Sequence, residues 1–180
     1  MYRINDKVGV LLRQNQKLFH TEDLAMLWQI INRNTLYTTI KRYVKRGILI
    51  PVHKGLYSTS AVGEVDIKLI GLKHVHGYSY VSTETVLAEA GVITQEVKVV
   101  SLVGERSVKF KINGVRYSCR RMAPKYLYQP VGINMENGVR SASVARAVVD
   151  LSYFNPGYQL DGLSLVDVKE IKKIKKEMGL

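Results

Sequence analysis

The dipeptide Asn113-Gly114 constrains the fold of this chain more than any other feature of its sequence. It separates two runs in which apolar and polar residues alternate, and both residues of a two-residue hairpin turn need the positive φ that Asn and Gly tolerate. The turn fixes three apolar cross-strand pairs: Ile112 with Val115, Phe110 with Tyr117, and Val108 with Cys119. We therefore predict a β-hairpin with one buried face, on which Cys119 is a small core residue.

The opposite face of this hairpin is basic. It pairs Lys111 with Arg116, Lys109 with Ser118, and Ser107 with Arg120. Like charges on directly opposite residues destabilise a sheet unless an anion meets them. The four cations Lys109, Lys111, Arg116 and Arg120 are therefore a candidate second basic surface, facing phosphate, an acidic partner or water. An RNA-binding module that uses this face is one interpretation.

Positive charge is concentrated at the start of the chain. The 180 residues carry 27 Lys and Arg against 15 Asp and Glu, a formal net charge of +12. Residues 1–60 contribute +7 of this, residues 61–160 contribute +4, and the last twenty contribute +1. Solubility alone does not predict such clustering, whereas a nucleic-acid-binding segment does.

Three helices are predicted in this basic segment. Helical spacing of apolar residues covers residues 3–17, and Thr21 is a candidate N-cap for a second helix with the stripe Leu24, Leu27, Trp28 and Ile31. Trp28 is interpreted as a core residue. Asn32 or Asn34 can cap a third helix that ends near Arg46, before Gly47.

The third helix has the pattern of a recognition helix. Its apolar stripe is Leu36, Ile40, Tyr43 and Val44, and residues 32–52 contain no acid. Hydroxyls lie early on the other face and cations lie later, as expected where the first turns meet bases and later cations meet phosphates. The candidate DNA-binding residues, including two at a following turn, are Arg33, Thr35, Thr38, Thr39, Lys41, Arg42, Lys45, Arg46, His53 and Lys54.

A short hairpin follows the third helix. Residues 48–52 and 56–58 are β-prone runs around a glycine-containing turn, and Pro51 restricts the first run to an edge. Three helices and a hairpin are the order of a winged helix-turn-helix. We predict an α/β (α+β) protein with a winged helix-turn-helix DNA-binding domain at residues 1–60 and a mixed sheet-and-helix domain at residues 61–180.

The second domain alternates strands and helices. A strand at residues 77–81 precedes a helix that Ser82 can cap and Gly91 ends, and strands are expected at residues 97–103, 107–112 and 115–121. Ser141 or Ser143 can cap a helix over residues 144–151. A final helix is predicted over residues 163–178, with a buried stripe of Leu165, Val168, Ile171 and Ile174.

Catalysis is not predicted. The sequence contains no phosphate-binding glycine loop and no nucleophile elbow. His74-Val75-His76 lacks a third metal ligand, and the run from Glu64 to Lys68 lacks the strand that surrounds a nuclease acid pair. We expect no catalytic residues, metal site or cofactor. A single cysteine and the lack of any apolar run of membrane-spanning length indicate a cytoplasmic protein that does not enter the membrane.

Several segments together resemble AbiEi-type antitoxins. Residues 19–25, the cation-rich third helix and residues 47–57 are similar to the winged helix-turn-helix of that family. Residues 80–93 resemble its strand-helix-glycine element, and residues 142–151 resemble its Ala-rich helix with an Asp near the end. The resemblance covers about residues 15–155.

This resemblance implies the antitoxin of a type IV toxin-antitoxin pair. Such a protein represses its own operon by binding duplex operator DNA at inverted repeats, and its carboxyl-terminal domain counters a nucleotidyltransferase-like toxin. The alternative is a transcriptional regulator without a toxin partner, whose second domain dimerises or senses a ligand.

Overall fold

In the computed structural model, which describes residues 7–14 and 16–180, the chain divides into two units. The first unit ends at Asp66, and the second spans Ile67–Leu180. The sequence placed this boundary after residue 60. The division lies farther along because a 3₁₀ turn, Val62–Glu64, stays with the first unit, and the second unit begins directly with a helix.

The first unit combines three helices with a three-stranded sheet. Its elements are α1 (Lys7–Leu12), β1 (Leu18–His20), α2 (Thr21–Trp28), α3 (Arg33–Lys45), β2 (Ile50–His53) and β3 (Leu56–Ser58). All pairing is antiparallel, and the strand order is β1-β3-β2. The predicted hairpin is thus joined by a third strand, and Pro51 lies on an edge strand next to a register shift.

Trp28 organises the core of this unit. Its indole N–H donates to the carbonyl of Lys7 (3.0 Å), and its ring meets Tyr43 edge to face with centroids 5.2 Å apart. These contacts confirm that Trp28 is a core residue. Leu11, Phe19, Leu24, Leu36, Ile40 and Leu49 complete the buried cluster.

Two details of α2 were predicted wrongly. His20 rather than Thr21 precedes the helix, and the His20 backbone N–H donates to the Asp23 carboxylate (2.8 Å). Ile31 was assigned to the buried stripe but is 98% exposed. The reason is that α2 ends at Trp28, where Gln29 adopts a left-handed conformation (φ 54°) and turns the chain away.

The second unit is built on one mixed sheet. Its elements are α4 (Ile67–His74), β4 (Ser79–Val81), α5 (Glu84–Glu89), β5 (Val99–Gly104), β6 (Val108–Ile112), β7 (Val115–Arg121), α6 (Pro124–Leu127), β8 (Ile133–Glu136), β9 (Val139–Ala142), α7 (Val144–Phe154) and α8 (Val168–Met178). The strand order is β6-β7-β5-β4-β9-β8. Pairs β5–β7 and β4–β9 are parallel, and the others are antiparallel.

The Asn113-Gly114 turn sets the register of β6 and β7 as predicted. Both turn residues have positive φ (49° and 85°), and the three apolar pairs are present. Ser107 lies before the ladder, so its predicted pairing with Arg120 does not occur. The Ser107 hydroxyl instead accepts from the Arg121 N–H (3.1 Å).

Several helix boundaries in this unit also differ from the prediction. Ser82 does not cap α5, because Thr83 (φ 54°) precedes that helix. Ser143 is the correct cap of α7, since its hydroxyl accepts from the Arg146 N–H (3.2 Å). The final helix begins only at Val168, after an Asp167 cap. The predicted stripe is therefore wrong at its start, where Leu165 and Val168 are exposed, and Ile174 and Met178 are the buried residues.

A fully buried ion pair within α7 is hydrogen-bonded to strand β4 and to the residue that follows it. The Arg146 Nε donates to Asp150 (2.8 Å), and Ser82 donates to the other Asp150 oxygen (2.7 Å). One terminal nitrogen of Arg146 donates to the Tyr80 hydroxyl (2.9 Å). Burial, together with the Asp150 carboxylate, raises the pKa of the Tyr80 phenol, which therefore stays protonated.

The remaining donors of Arg146 bond to the backbone of α6 and of the loop between α6 and β8. They reach the carbonyls of Tyr126 (3.1 Å), Gln129 (2.9 Å) and Val131 (2.8 Å). Gly132 passes so close that a Cβ there would lie 2.7 Å from the Arg146 Cβ. All five donors of the guanidinium are thus used, which marks Arg146 as a structural residue.

Candidate nucleic-acid interface

Helix α3 is delimited by its own sequence. The Asn32 carboxamide oxygen accepts from the Thr35 N–H (3.1 Å), which identifies Asn32 as the cap. After Lys45 the chain leaves the helix through Arg46 and reaches Gly47, whose φ of 69° suits glycine. Leu36, Ile40 and Tyr43 are buried. The opposite face of α3 is consequently held toward solvent.

Most of the predicted DNA-binding residues are exposed. Those on α3 and just beyond it are Arg33, Thr35, Thr38, Lys41, Arg42, Lys45 and Arg46. Those on the β2–β3 hairpin are His53, the last residue of β2, and Lys54 in the turn. On a helix with 3.6 residues per turn, Thr38, Lys41, Arg42 and Lys45 share one face. We refer to these four residues as the α3 face.

Thr39 was assigned to the exposed face, and this assignment is wrong. The residue is buried (5% exposed), and its hydroxyl donates to the Thr35 carbonyl one turn earlier (2.8 Å). The position lies next to the Leu36 and Tyr43 stripe on the helix surface, so burial follows from the period of the helix. The Thr35 hydroxyl also has a local partner, because it donates to Asn32 (3.4 Å).

The α3 face is electrostatically uncompensated. No carboxylate lies within 4.0 Å of its three cations in the described part of the chain. Arg33 differs, because it approaches Glu22 (3.7 Å) with both side chains exposed. Arg42 and Arg46 lie 5.7 and 5.9 Å from the Tyr43 ring centroid, which restricts their guanidinium groups without neutralising them.

Tyr37 belongs to the same surface, although the sequence pattern did not single it out. Its side chain is half exposed, and it precedes Lys41 by four residues, which makes the two side chains neighbours on the helix surface. Burial, and then the nearby Tyr37 phenol, raise the pKa of Tyr57 on β3. The sequence signal for its exposure was its position on α3 outside the apolar stripe of Leu36, Ile40, Tyr43 and Val44.

The second basic surface is smaller than predicted. Lys109, Lys111 and Arg116 are exposed, and Lys111 lies opposite Arg116 in the ladder. Arg120 is instead half-buried, donates to the Thr83 hydroxyl (2.9 Å) and forms an ion pair with Glu84. The pair could not be foreseen from local sequence, since it joins β7 to the start of α5. Arg120 is therefore removed from the set of free cations.

The other candidate residues have ordinary structural surroundings. Burial raises the pKa of the Cys119 thiol to about 11, as expected for a core residue. Lys68, at the end of the run that begins at Glu64, binds Glu89 (2.7 Å). Among residues 7–14 and 16–180, no group of three or more His, Cys, Asp or Glu side chains is placed to hold a metal. No helix in the same part of the chain is long and apolar enough to cross a bilayer.

Comparisons with known proteins bear on the fold alone. No protein-family model and no curated protein matches the chain. Among solved structures, the chain is similar to the crystal structure of the RV2827C protein from Mycobacterium tuberculosis, with a TM-score of 0.56 and 12% sequence identity. The match covers 94% of this chain and 69% of that chain. The similarity supports a mixed α/β architecture with two sheets.

Proposed function

We propose that this chain is a DNA-binding antitoxin. Its first unit binds duplex operator DNA as a winged helix-turn-helix and represses its own operon, and its second unit counters a nucleotidyltransferase-like toxin. The observation that carries the DNA-binding part is the α3 face, where a hydroxyl and three uncompensated cations lie exposed on one helix. The antitoxin part depends on the resemblance to AbiEi-type antitoxins.

The order of elements in the first unit supports a winged helix-turn-helix. Helices α2 and α3 are joined by residues 29–32, a connection of the length expected in a helix-turn-helix. Helix α3 is followed by the β2–β3 hairpin, which corresponds to the wing and carries Lys54 at its tip. In this module the second helix of the pair enters the major groove.

Roles on the α3 face follow from side-chain chemistry. Thr38 and Arg42 are proposed to contact base edges or adjacent phosphates, because hydroxyl and guanidinium groups bond to both. Lys41 and Lys45, as flexible point charges, are proposed to hold the phosphate backbone, and Arg46 and Lys54 extend that contact.

A binding assay tests the DNA-binding part. Fluorescence anisotropy would compare the full chain on three labelled ligands of equal length: the duplex upstream of its own gene, an unrelated duplex and a structured RNA. We expect the upstream duplex to bind about 10³-fold or more tighter than the unrelated duplex. Equal affinity for both duplexes, or a preference for the RNA, would overturn the proposal.

Co-expression tests the antitoxin part. The neighbouring open reading frame is expected to encode a nucleotidyltransferase-like protein that arrests growth when expressed alone, and the full chain is expected to restore growth. A variant with Arg42→Ala and Lys45→Ala separates the two activities, because it should lose repression and keep the rescue. A neighbour of another class, or no rescue, would leave a transcriptional regulator without a toxin.

A further inference from the structure

Three cations are crowded on one face of the second unit's sheet. Lys111 lies directly opposite Arg116, and Lys109, two residues before Lys111, lies on the same face of β6. Directly opposite residues in an antiparallel pair have Cβ atoms about 4.5–5.5 Å apart, and like charges in these positions are destabilising. None of the three has a carboxylate within 4.0 Å in the described part of the chain. An anionic ligand would relieve the repulsion.

This face is part of a concave surface. The strands β5, β6 and β7 line a cleft of about 890 Å³, a volume in the range of small-molecule sites. The segment after α7 contributes the aromatic ring of Tyr158 to the lining, and the residue before β5 contributes Lys98. Lys98 is already paired with Glu96 (3.0 Å). The uncompensated positive charge in the cleft therefore comes from the hairpin.

The two ends of the cleft differ in charge. Arg116 and Arg120 are four residues apart on β7, or about 13 Å at the rise of a β-strand. At the Arg120 end, the ion pair with Glu84 leaves no net charge, whereas Ser101 and Ser118 lie midway along the cleft, level with Lys109. A carboxylate accepts hydrogen bonds from hydroxyl and amino groups but repels phosphate. The cleft thus has a phosphate-binding end and an end suited to neutral donors.

We propose that this cleft binds a nucleotide. The phosphates contact Lys109, Lys111 and Arg116 through charge-assisted hydrogen bonds, and the ribose or base donors bond to Glu84. A continuous nucleic acid strand fits less well, because the next phosphodiester would approach the Glu84 carboxylate. The site lies wholly within the second unit and is independent of DNA binding by the α3 face.

The hydrogen bonds of Glu84 support its role as an acceptor. Although burial opposes ionisation, hydrogen bonds from Thr83 and the backbone, together with Arg120, hold the pKa of Glu84 below its ordinary value. The carboxylate is consequently ionised at neutral pH, and a donor on the ligand would share it with these partners and with Ser101.

Calorimetric titration of the full chain tests the proposal with three probes: ATP, tripolyphosphate and adenosine. We expect one ATP per chain, weaker binding of tripolyphosphate and no measurable binding of adenosine. Lys111→Ala and Arg116→Ala should each weaken ATP binding about tenfold, the loss expected for one charge-assisted contact. The matched controls Lys172→Ala and Lys176→Ala remove the same charge from exposed positions of α8 and should leave ATP binding unchanged.

Glu84→Gln separates the two ends of the cleft. It removes a negative charge, so it should tighten tripolyphosphate binding while weakening ATP binding. No ATP binding, equal affinity for ATP and tripolyphosphate, or equal losses in cleft and control variants would overturn the proposal. In a competition assay with labelled ATP, a single-stranded oligonucleotide that displaces the label at a lower concentration than unlabelled ATP does would overturn the proposal in favour of a nucleic acid ligand. Unchanged circular dichroism spectra would verify that the variants are folded.

Discussion

The arginine on the α3 face and the arginine in the interior of the second unit differ in exposure and in their bonding partners. Arg42 is exposed and has no carboxylate within ion-pair distance in the described part of the chain. Its guanidinium carbon lies 5.7 Å from the centroid of the Tyr43 ring. Arg146 is inaccessible, and each of its donors bonds to Asp150, Tyr80 or a backbone carbonyl. Arg120 is intermediate, since it is half-buried and paired with Glu84. A cation therefore contributes to an anion-binding surface only where it is exposed and lacks a carboxylate partner.

The interior ion pair gives the largest expected effect. Arg146→Ala leaves the Asp150 carboxylate buried without its partner, so we expect the free energy of unfolding to fall by about 3–5 kcal/mol. Urea denaturation followed by circular dichroism measures this loss. Lys169→Ala, at an exposed position of α8, is the control and should change stability by less than about 0.5 kcal/mol. An equally small change for Arg146→Ala would show that the buried network is dispensable.

The Arg120–Glu84 pair predicts a dependence of stability on pH. The pKa of Glu84 is lowered in the folded protein, so its ionised form stabilises the fold. This stabilisation is fully present above the ordinary pKa of 4.5 and is lost as the pH falls through the lowered pKa. Glu84→Gln should therefore cost about 1 kcal/mol at pH 7.

The matching measurement is urea denaturation of both proteins between pH 7 and pH 3. The difference in stability between the natural chain and Glu84→Gln should shrink as the pH falls below 4.5. A difference that stays constant over this range would mean that the carboxylate charge is irrelevant to the pair.

Neighbouring threonines on α3 separate folding from binding. Thr39→Ala removes a buried hydrogen bond, so it should lower the free energy of unfolding by about 1 kcal/mol and leave the DNA affinity of the folded protein unchanged. Thr38→Ala should do the reverse, since its side chain is exposed. Parallel urea denaturation and anisotropy titrations would measure both. A loss of DNA affinity in Thr39→Ala equal to that in Thr38→Ala would remove Thr38 from the proposed contact surface.

The smallest expected effect concerns the hairpin cations. Lys111→Thr relieves the repulsion from Arg116 and places a β-branched residue in a strand, so the free energy of unfolding should rise by about 0.2–1 kcal/mol at low salt. The electrostatic part of this gain should disappear near 1 M salt, where charges are screened within about 3 Å. Thermal denaturation at both salt concentrations measures the change. A loss of stability at low salt would show that the pair is not strained.

Turn residues and helical periodicity predicted the features of the fold that depend on short segments of sequence. The Asn113-Gly114 turn was sufficient for the register of β6 and β7. The period of α3 identified Leu36, Ile40 and Tyr43 as buried, but the predicted stripe missed Thr39 and included Val44, which is only partly buried. A second Asn-Gly pair, at residues 137 and 138, has the same turn geometry and joins β8 to β9. It was overlooked, although the same rule applied to it.

Sequence patterns could not predict ion pairs and hydrogen bonds between residues that are distant in sequence. A net charge summed over a segment counts Arg120 and Arg146 as available cations. Arg120, however, is paired with Glu84, 36 residues away. Arg146 is bonded to Gln129 in a loop and to Tyr80 on a strand, which only the fold brings to α7. Arg146 and Asp150 are four residues apart on one helix, which indicates an ion pair but not its burial. Burial depends on which face of α7 packs against the sheet.

The salt dependence of operator binding tests the DNA-binding proposal most directly. For a variant with both Arg42→Ala and Lys45→Ala, the slope of log affinity against log salt concentration should become shallower by about 0.9 for each phosphate that the variant no longer binds. The control with Lys172→Ala and Lys176→Ala removes the same charge outside α3 and should keep the original slope. Equal slopes for all three proteins, with equal affinity, would contradict DNA binding by the α3 face.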